Sequence, residues 1–173
     1  MIEIDPSVCS GCSRCEVNCT FFHTGKVGRS MSRIKVVKIE EKGIDFPVVC
    51  RQCRERYCTR CPSSAITLGK LGQVIVSATL CDSCGVCESL CPVGAIELHE
   101  GLPYVCDLCG GTPNCVKECS MGAIRFEKEV SDHVSLSEFK KKSAKLSPES
   151  KRFIYVEETT QALRNEWASR NMP

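Results

Sequence analysis

Sixteen of the 173 residues are cysteine, and they stand in four groups, at 9–19, 50–61, 81–91 and 106–119. The third group has the most regular spacing: Cys81, Cys84, Cys87 and Cys91, followed by Pro92. Three thiolates spaced this closely lie on a tight loop that can wrap three iron corners of one four-iron, four-sulfide cube. The fourth lies further on, where a helix leads away, so it reaches a neighbouring cube instead. The proline after it donates no N–H and ends the loop geometry. The first group repeats this spacing without the proline, at Cys9, Cys12, Cys15 and Cys19. The fourth group has a wider middle gap, at Cys106, Cys109, Cys115 and Cys119. The second departs most, at Cys50, Cys53, Cys58 and Cys61, because its last gap is one residue short. Donors of this type and spacing point to 4Fe–4S clusters, and sixteen thiolates divide into four of them. The chemistry expected is one-electron transfer.

Zinc is the main competitor for such a donor set. Zinc sites use isolated cysteine pairs, with a second pair well downstream and often a histidine. Here triplets recur and only three histidines are present, so zinc is disfavoured. A disulfide framework belongs to small secreted chains. The opening MIEIDPSVCSGC has no basic segment followed by an apolar run, so no secretory signal is expected. With oxygen-sensitive cofactors, this points to a cytoplasmic chain.

Because the fourth cysteine of a group leaves for another cluster, the groups must exchange ligands in pairs. Groups one and four both lack the proline, which favours pairing them and leaves group two with group three. The expected ligand sets are then Cys9, Cys12, Cys15 and Cys119; Cys106, Cys109, Cys115 and Cys19; Cys50, Cys53, Cys58 and Cys91; and Cys81, Cys84, Cys87 and Cys61. One dicluster module would be inserted in another. A tandem layout, with group one paired to two and three to four, stays open.

The elements that must position these sulfurs are short. Three groups end in related phrases, CPSSAI from Cys61, CPVGAI from Cys91 and CSMGAI from Cys119. Each runs into a β-prone segment. Residues 66–77, 96–105 and 33–49 each read as two strand arms around a turn. Short helices are expected around the last cysteine of each group. The fold expected is α+β: two nested bacterial-ferredoxin-like modules of short hairpins and helices, with a partly helical C-terminal extension. The polyferredoxin domain would span 1–127, with an outer module at 1–32 and 100–127 and an inner one at 44–99. Residues 128–173 would form an extension, either packed on its own domain or docking a partner or a second copy, its helix starting near Ser147-Pro148-Glu149. Leu163 and Trp167 would share a face of that helix.

The remaining composition limits other functions. The formal net charge of +2 counts cysteine as neutral. Four thiolates around an oxidised 4Fe–4S core make each site net negative by roughly two units, so the loaded chain is acidic and no nucleic-acid partner is expected. No stretch approaches the ~20 apolar residues of a membrane span. Only 6% of residues are aromatic, so folding is expected to need the metal. Phosphate-binding and nucleophile motifs are absent, and every cysteine is committed to a cluster, so no catalytic residues are expected. Arg51, Arg54, Arg56 and Arg60 crowd group two. Positive charge there would give the cluster of Cys50, Cys53, Cys58 and Cys91 the highest potential. His23 is expected to pack near a cluster, and His99 and His133 to be exposed.

The four-group pattern resembles the four-cluster electron-transfer subunits of molybdenum and tungsten oxidoreductases and of hydrogenase-type complexes. The opening CSGCSRCEVNCTFFHTG, followed by SRIKVVKIE, resembles the small iron–sulfur subunits of tungsten enzymes of the aldehyde:ferredoxin oxidoreductase type. The small electron-transfer subunit of the class II benzoyl-CoA reductase complex is a relative of these. The resemblance covers roughly residues 1–127. It implies a large catalytic partner holding a tungsten or molybdenum pterin, and an external partner such as a ferredoxin or flavoprotein subunit. Two readings follow: a dedicated electron-transfer subunit of such a complex, and a free soluble polyferredoxin.

Overall fold

The computed structural model describes residues 1–128 and 133–171, without the side chains of 162, 164, 166–168, 170 and 171. Eight short strands form four two-stranded antiparallel sheets. Strand β1 (Ile2–Ile4) pairs with β8 (Ile124–Phe126), and β2 (Ile34–Ile39) pairs with β3 (Ile44–Val49). Strand β4 (Ile66–Leu68) pairs with β5 (Val74–Val76), and β6 (Glu97–His99) with β7 (Leu102–Tyr104). Each hairpin carries the chain from one cysteine group to the next, and β1–β8 closes the last group onto the first. The longest hairpin has the clearest cause. Ile34, Val36 and Ile39 turn inward on β2, and Gly43 takes the left-handed φ of +61° that its turn requires. Its register sets Ile34 opposite Val49 and Ile39 opposite Ile44.

Two-stranded sheets are marginal alone, so the stability must come from what they pack around. Two apolar clusters do this. One gathers Phe46, Val48, Ile66, Val74, Ile96, Val105, Leu136, Tyr155 and Val156 around Cys58, Cys87 and Cys91. The other gathers Ile2, Ile34, Val49, Leu108 and Ile124 around Cys15, Cys19 and Cys115. The recurring phrase is explained here: its Ala-Ile pair is buried in all three copies, at Ala65–Ile66, Ala95–Ile96 and Ala123–Ile124.

Helix α1 (Arg14–Thr24) carries Cys15 and Cys19, α2 (Val86–Leu90) carries Cys87, and α3 (Asn114–Lys117) carries Cys115. Helix α1 packs on α3, and α2 packs on a 3₁₀ turn at Tyr57–Thr59. Group two has only that 3₁₀ turn where the others have a helix, because its short last gap leaves too few residues for a full α-turn.

The C-terminal part holds α4 (Ser137–Lys142) and α5 (Pro148–Asn171). The Ser150 N–H donates to Ser147 Oγ at 3.2 Å, which caps the long helix. The first half of α5 lies on the domain: Tyr155 meets Phe46 and Phe139 edge-on, at 6.0 and 5.1 Å between ring centroids. Leu163 is exposed on the same helix, and the side chain of Trp167 lies outside the described residues. Three expectations need correction. Group two carries the Tyr57–Thr59 3₁₀ turn in place of the helix expected around its last cysteine. His99 ends β6, half-buried against Tyr104, because the hairpin turn proper is Glu100–Gly101. His133 is partly buried, with its Nε2 3.2 Å from Arg56 Nη2. Among the described residues, no helix is long and apolar enough to cross a membrane.

Candidate metal centres

All sixteen cysteines are free thiols. Cys9, Cys12, Cys15 and Cys119 line one cavity, walled by Val36, Pro47 and Ile124. Cys61, Cys81, Cys84 and Cys87 line a second, beside Ala65 and Ile66. The other eight sulfurs are on the whole more deeply set, and several of them sense one another electrostatically. Burial pushes the Cys58 thiol up to about 12, with Cys50, Cys91 and Cys53 adding to it. Cys50 also rises to about 12, first by burial, then through Cys91 and Cys53, against a hydrogen bond from the Gln52 N–H. Cys115 is pushed up to about 12 by burial, then by Cys19 and Cys109. Cys106 is raised by burial first, and it senses Cys50 as well as Cys115 and Cys19.

These shifts have one meaning. Buried sulfurs close to one another in a low-dielectric place disfavour the thiolate, which is why the Cys50, Cys58, Cys106 and Cys115 thiols are raised. Metal binding would displace the thiol protons and make the same crowding favourable. The backbone also turns donors toward sulfur. The Arg33 N–H donates to Cys19 Sγ at 3.3 Å, and the Ala95 N–H donates to Cys91 Sγ at 3.2 Å. Soft donors in fours, enclosed by apolar side chains and met by N–H groups, fit a 4Fe–4S cluster.

Group two's arginines do not all serve its sulfurs. Arg51 Nη1 donates to the Ile2 carbonyl at 2.9 Å, and the Arg60 guanidinium lies 5.7 Å from the Tyr57 ring centroid. Arg56 Nη1 donates to the Gly72 carbonyl at 2.7 Å, and its charge favours the Cys50 thiolate. One group of functional residues was only half legible from sequence. His23 Nε2 lies 3.7 Å from Cys109 Sγ and 3.6 Å from Asp107 Oδ1. Burial, and then Arg33, lower the His23 imidazole's affinity for a second proton, while Asp107 opposes this. Asp107 carried no sequence signal of its own beyond its place beside Cys106.

The 4Fe–4S binding domain family matches residues 74–97, which hold the third cysteine group. The chain is 41% identical over 122 residues to the polyferredoxin-like subunit of the aliphatic sulfonate oxidoreductase of Pyrococcus furiosus, covering 68% of this chain and 70% of that one. It is 35% identical over 131 residues to the beta subunit of the NADH-dependent phenylglyoxylate dehydrogenase of Aromatoleum evansii, covering 72% of this chain but 29% of that one. Among solved structures it is similar to a chain of the active-site complex of benzoyl-coenzyme A reductase, at 31% identity, with 76% of this chain and 80% of that chain covered. The TM-score there is 0.46, too loose a superposition to carry an argument. With its sulfur quartets and these relatives together, the chain belongs to the family of 4Fe–4S electron-transfer subunits that includes the polyferredoxin-like subunit of Pyrococcus furiosus.

Proposed function

We propose that the chain is a non-catalytic relay, passing single electrons through four 4Fe–4S clusters between a large catalytic oxidoreductase subunit and an external redox partner. The ligand sets are Cys9, Cys12, Cys15 and Cys119; Cys19, Cys106, Cys109 and Cys115; Cys50, Cys53, Cys58 and Cys91; and Cys61, Cys81, Cys84 and Cys87. They form two nested dicluster modules, the outer from 1–32 and 100–127 and the inner from 44–99. The packing of α1 on α3, and of α2 on the Tyr57–Thr59 turn, supports nesting over a tandem layout. A tungsten or molybdenum pterin partner is supported by the resemblance of the opening segment, and a catalytic partner in general by the subunit relatives.

The sets fall in one order. Cys15 senses Cys115 across the outer pair, Cys106 senses Cys50 across the junction of outer and inner, and α2 leads from Cys87 to Cys91 in the inner pair. The observation that carries the reading is exposure. Of the sixteen cysteines only Cys12 and Cys84 are exposed, and they fall in the first and last sets of this order. A relay needs two accessible ends and an enclosed middle.

When bound, each cluster supplies a reversible one-electron couple. The chain does the rest. It holds the quartets in series, keeps water from the inner sulfurs with the two apolar clusters, and aims the Arg33 and Ala95 N–H groups at sulfur. Arg56 places positive charge toward Cys50, so its set is assigned the highest potential, and Arg56→Gln should lower that one midpoint in a potentiometric titration. Anaerobic purification followed by metal analysis tests the whole reading. We expect about sixteen iron and sixteen sulfide per chain, and a stoichiometric large subunit containing tungsten or molybdenum. Iron for fewer than about three clusters, or zinc in its place, would sink the four-cluster assignment. A monodisperse brown monomer with no large subunit would replace the dedicated subunit with a free carrier.

A further inference from the structure

His23 follows Cys19 by four residues on α1, so the two side chains leave the same face one turn apart. The Cys19 sulfur enters one quartet, and His23 reaches across to another member of it, with Nε2 3.7 Å from Cys109 Sγ. The ring is enclosed, its side chain only 10% exposed. Phe22 packs edge-on against it, with centroids 4.9 Å apart. The charged groups around it are tied to each other. Asp107 Oδ1 lies 3.6 Å from His23 Nε2 and accepts the Cys109 N–H at 3.0 Å. Asp107 Oδ2 lies 2.6 Å from Arg33 Nη1, which balances the carboxylate. The Arg33 N–H in turn donates to Cys19 Sγ. His23 Nε2 therefore faces two acceptors, a sulfur and a carboxylate, and a neutral imidazole places its one proton there.

We propose that His23 donates its Nε2–H to the Cys109 thiolate and so raises the reduction potential of the cluster held by Cys19, Cys106, Cys109 and Cys115. The physical reason is charge. Reduction adds an electron to a site that is already net negative, and a donor at sulfur draws that charge outward, so it stabilises the reduced state more than the oxidised one. His23 is a positioning residue and no ligand, because four sulfurs already converge there. The donor atoms of His23, Asp107 and Cys109 do lie within 4.8 Å of one another, near enough to hold a single metal ion. Such an ion would have to take Cys109 from its quartet and Asp107 from Arg33.

The inference rests on the four-cluster reading, and the test separates the two. The full chain is prepared anaerobically as wild type, His23→Phe and His23→Gln, with iron content measured and each cluster's midpoint followed by electron paramagnetic resonance during potentiometric titration. We expect unchanged iron in both variants. In His23→Phe one midpoint of four should fall, with the reduced-to-oxidised ratio at fixed potential down about tenfold, or about 59 mV for one electron. His23→Gln keeps an N–H donor and should recover part of that loss. Full iron with four unmoved midpoints overturns the proposal, as does a fall shared by all four. Loss of about a quarter of the iron in both variants also overturns it, since His23 would then hold metal itself. Iron too low in the wild type defeats the cluster reading first, and this inference with it.

Discussion

Lys151 is 1% exposed although it carries a full charge, and the end of a five-residue helix explains why. Its Nζ donates to the carbonyls of Glu88 at 3.1 Å and Ser89 at 2.8 Å, at the C-terminal end of α2. The Glu88 carbonyl also accepts the Cys91 N–H at 3.3 Å and the Ser89 carbonyl the Lys140 ammonium at 3.2 Å, so Lys151 joins a shared cap on the helix end, where a cation also complements the helix dipole. The benefit reaches the metal centre, because α2 carries Cys87 and leads into Cys91. Lys151→Met keeps the packing volume and removes the donor. Hydrogen bonds from charged groups contribute about 1.5–3 kcal/mol, so the variant should lose that much stability with its iron content unchanged. Urea-induced loss of the visible absorption measures this, and a midpoint equal to that of the wild type would contradict it.

Among the elements, β1–β8 is the one that long-range topology makes necessary. It joins Ile2 to Phe126 and Ile4 to Ile124, so the strand entering group one is paired with the strand leaving group four. Ile2 is fully buried in the apolar cluster around Cys15, Cys19 and Cys115. A carboxylate there would have to leave water for the apolar cluster and would cost several kcal/mol. Under nesting, Ile2→Asp opens the outer module only, and about half of the iron should be lost, with the inner pair's signals intact. Under a tandem layout the same change would loosen one group in each module and weaken all the signals together. Iron analysis with spectroscopy distinguishes these outcomes. The other three hairpins are local, and each needs only the next few residues to form.

At the scale of the whole molecule, α5 runs from the segment after Cys91 toward the segment before Cys9. At its start Arg152 Nη1 donates to the Gly94 carbonyl at 2.9 Å, and Gly94 can be only glycine there, since a Cβ would stand 2.1 Å from the Pro148 carbonyl oxygen. Further along, Thr160 and Leu163 border a pocket with Pro6, Ser7 and Ile44, close in sequence to Cys9. The helix thus spans from the Cys91 region to the segment that leads into Cys9 and Cys12. Removing residues 161–173 should leave iron content and thermal stability unchanged while weakening co-purification with the large subunit at least tenfold. Quantitative pull-down of the partner by both forms decides it, and an undiminished yield would free this segment from any docking role.

Residue type and spacing alone determined the metal chemistry, because a cubane accepts only sulfurs that a short loop can deliver, and that constraint is local. Hairpins at 33–49, 66–77 and 96–105 were legible for the same reason, since alternation and turn residues act over a few positions. The helix expected in group two is a 3₁₀ turn instead, because its last gap is one residue short. Tertiary structure decided which sulfurs meet. Nothing near Cys19 in the sequence says that His23 will reach Cys109, eighty-six positions away. Lys151 likewise looks like a surface charge until α2 ends beside it. Such contacts depend on how separately formed pieces close on one another, and the free energy of that closure is spread over the whole core rather than written at any one position.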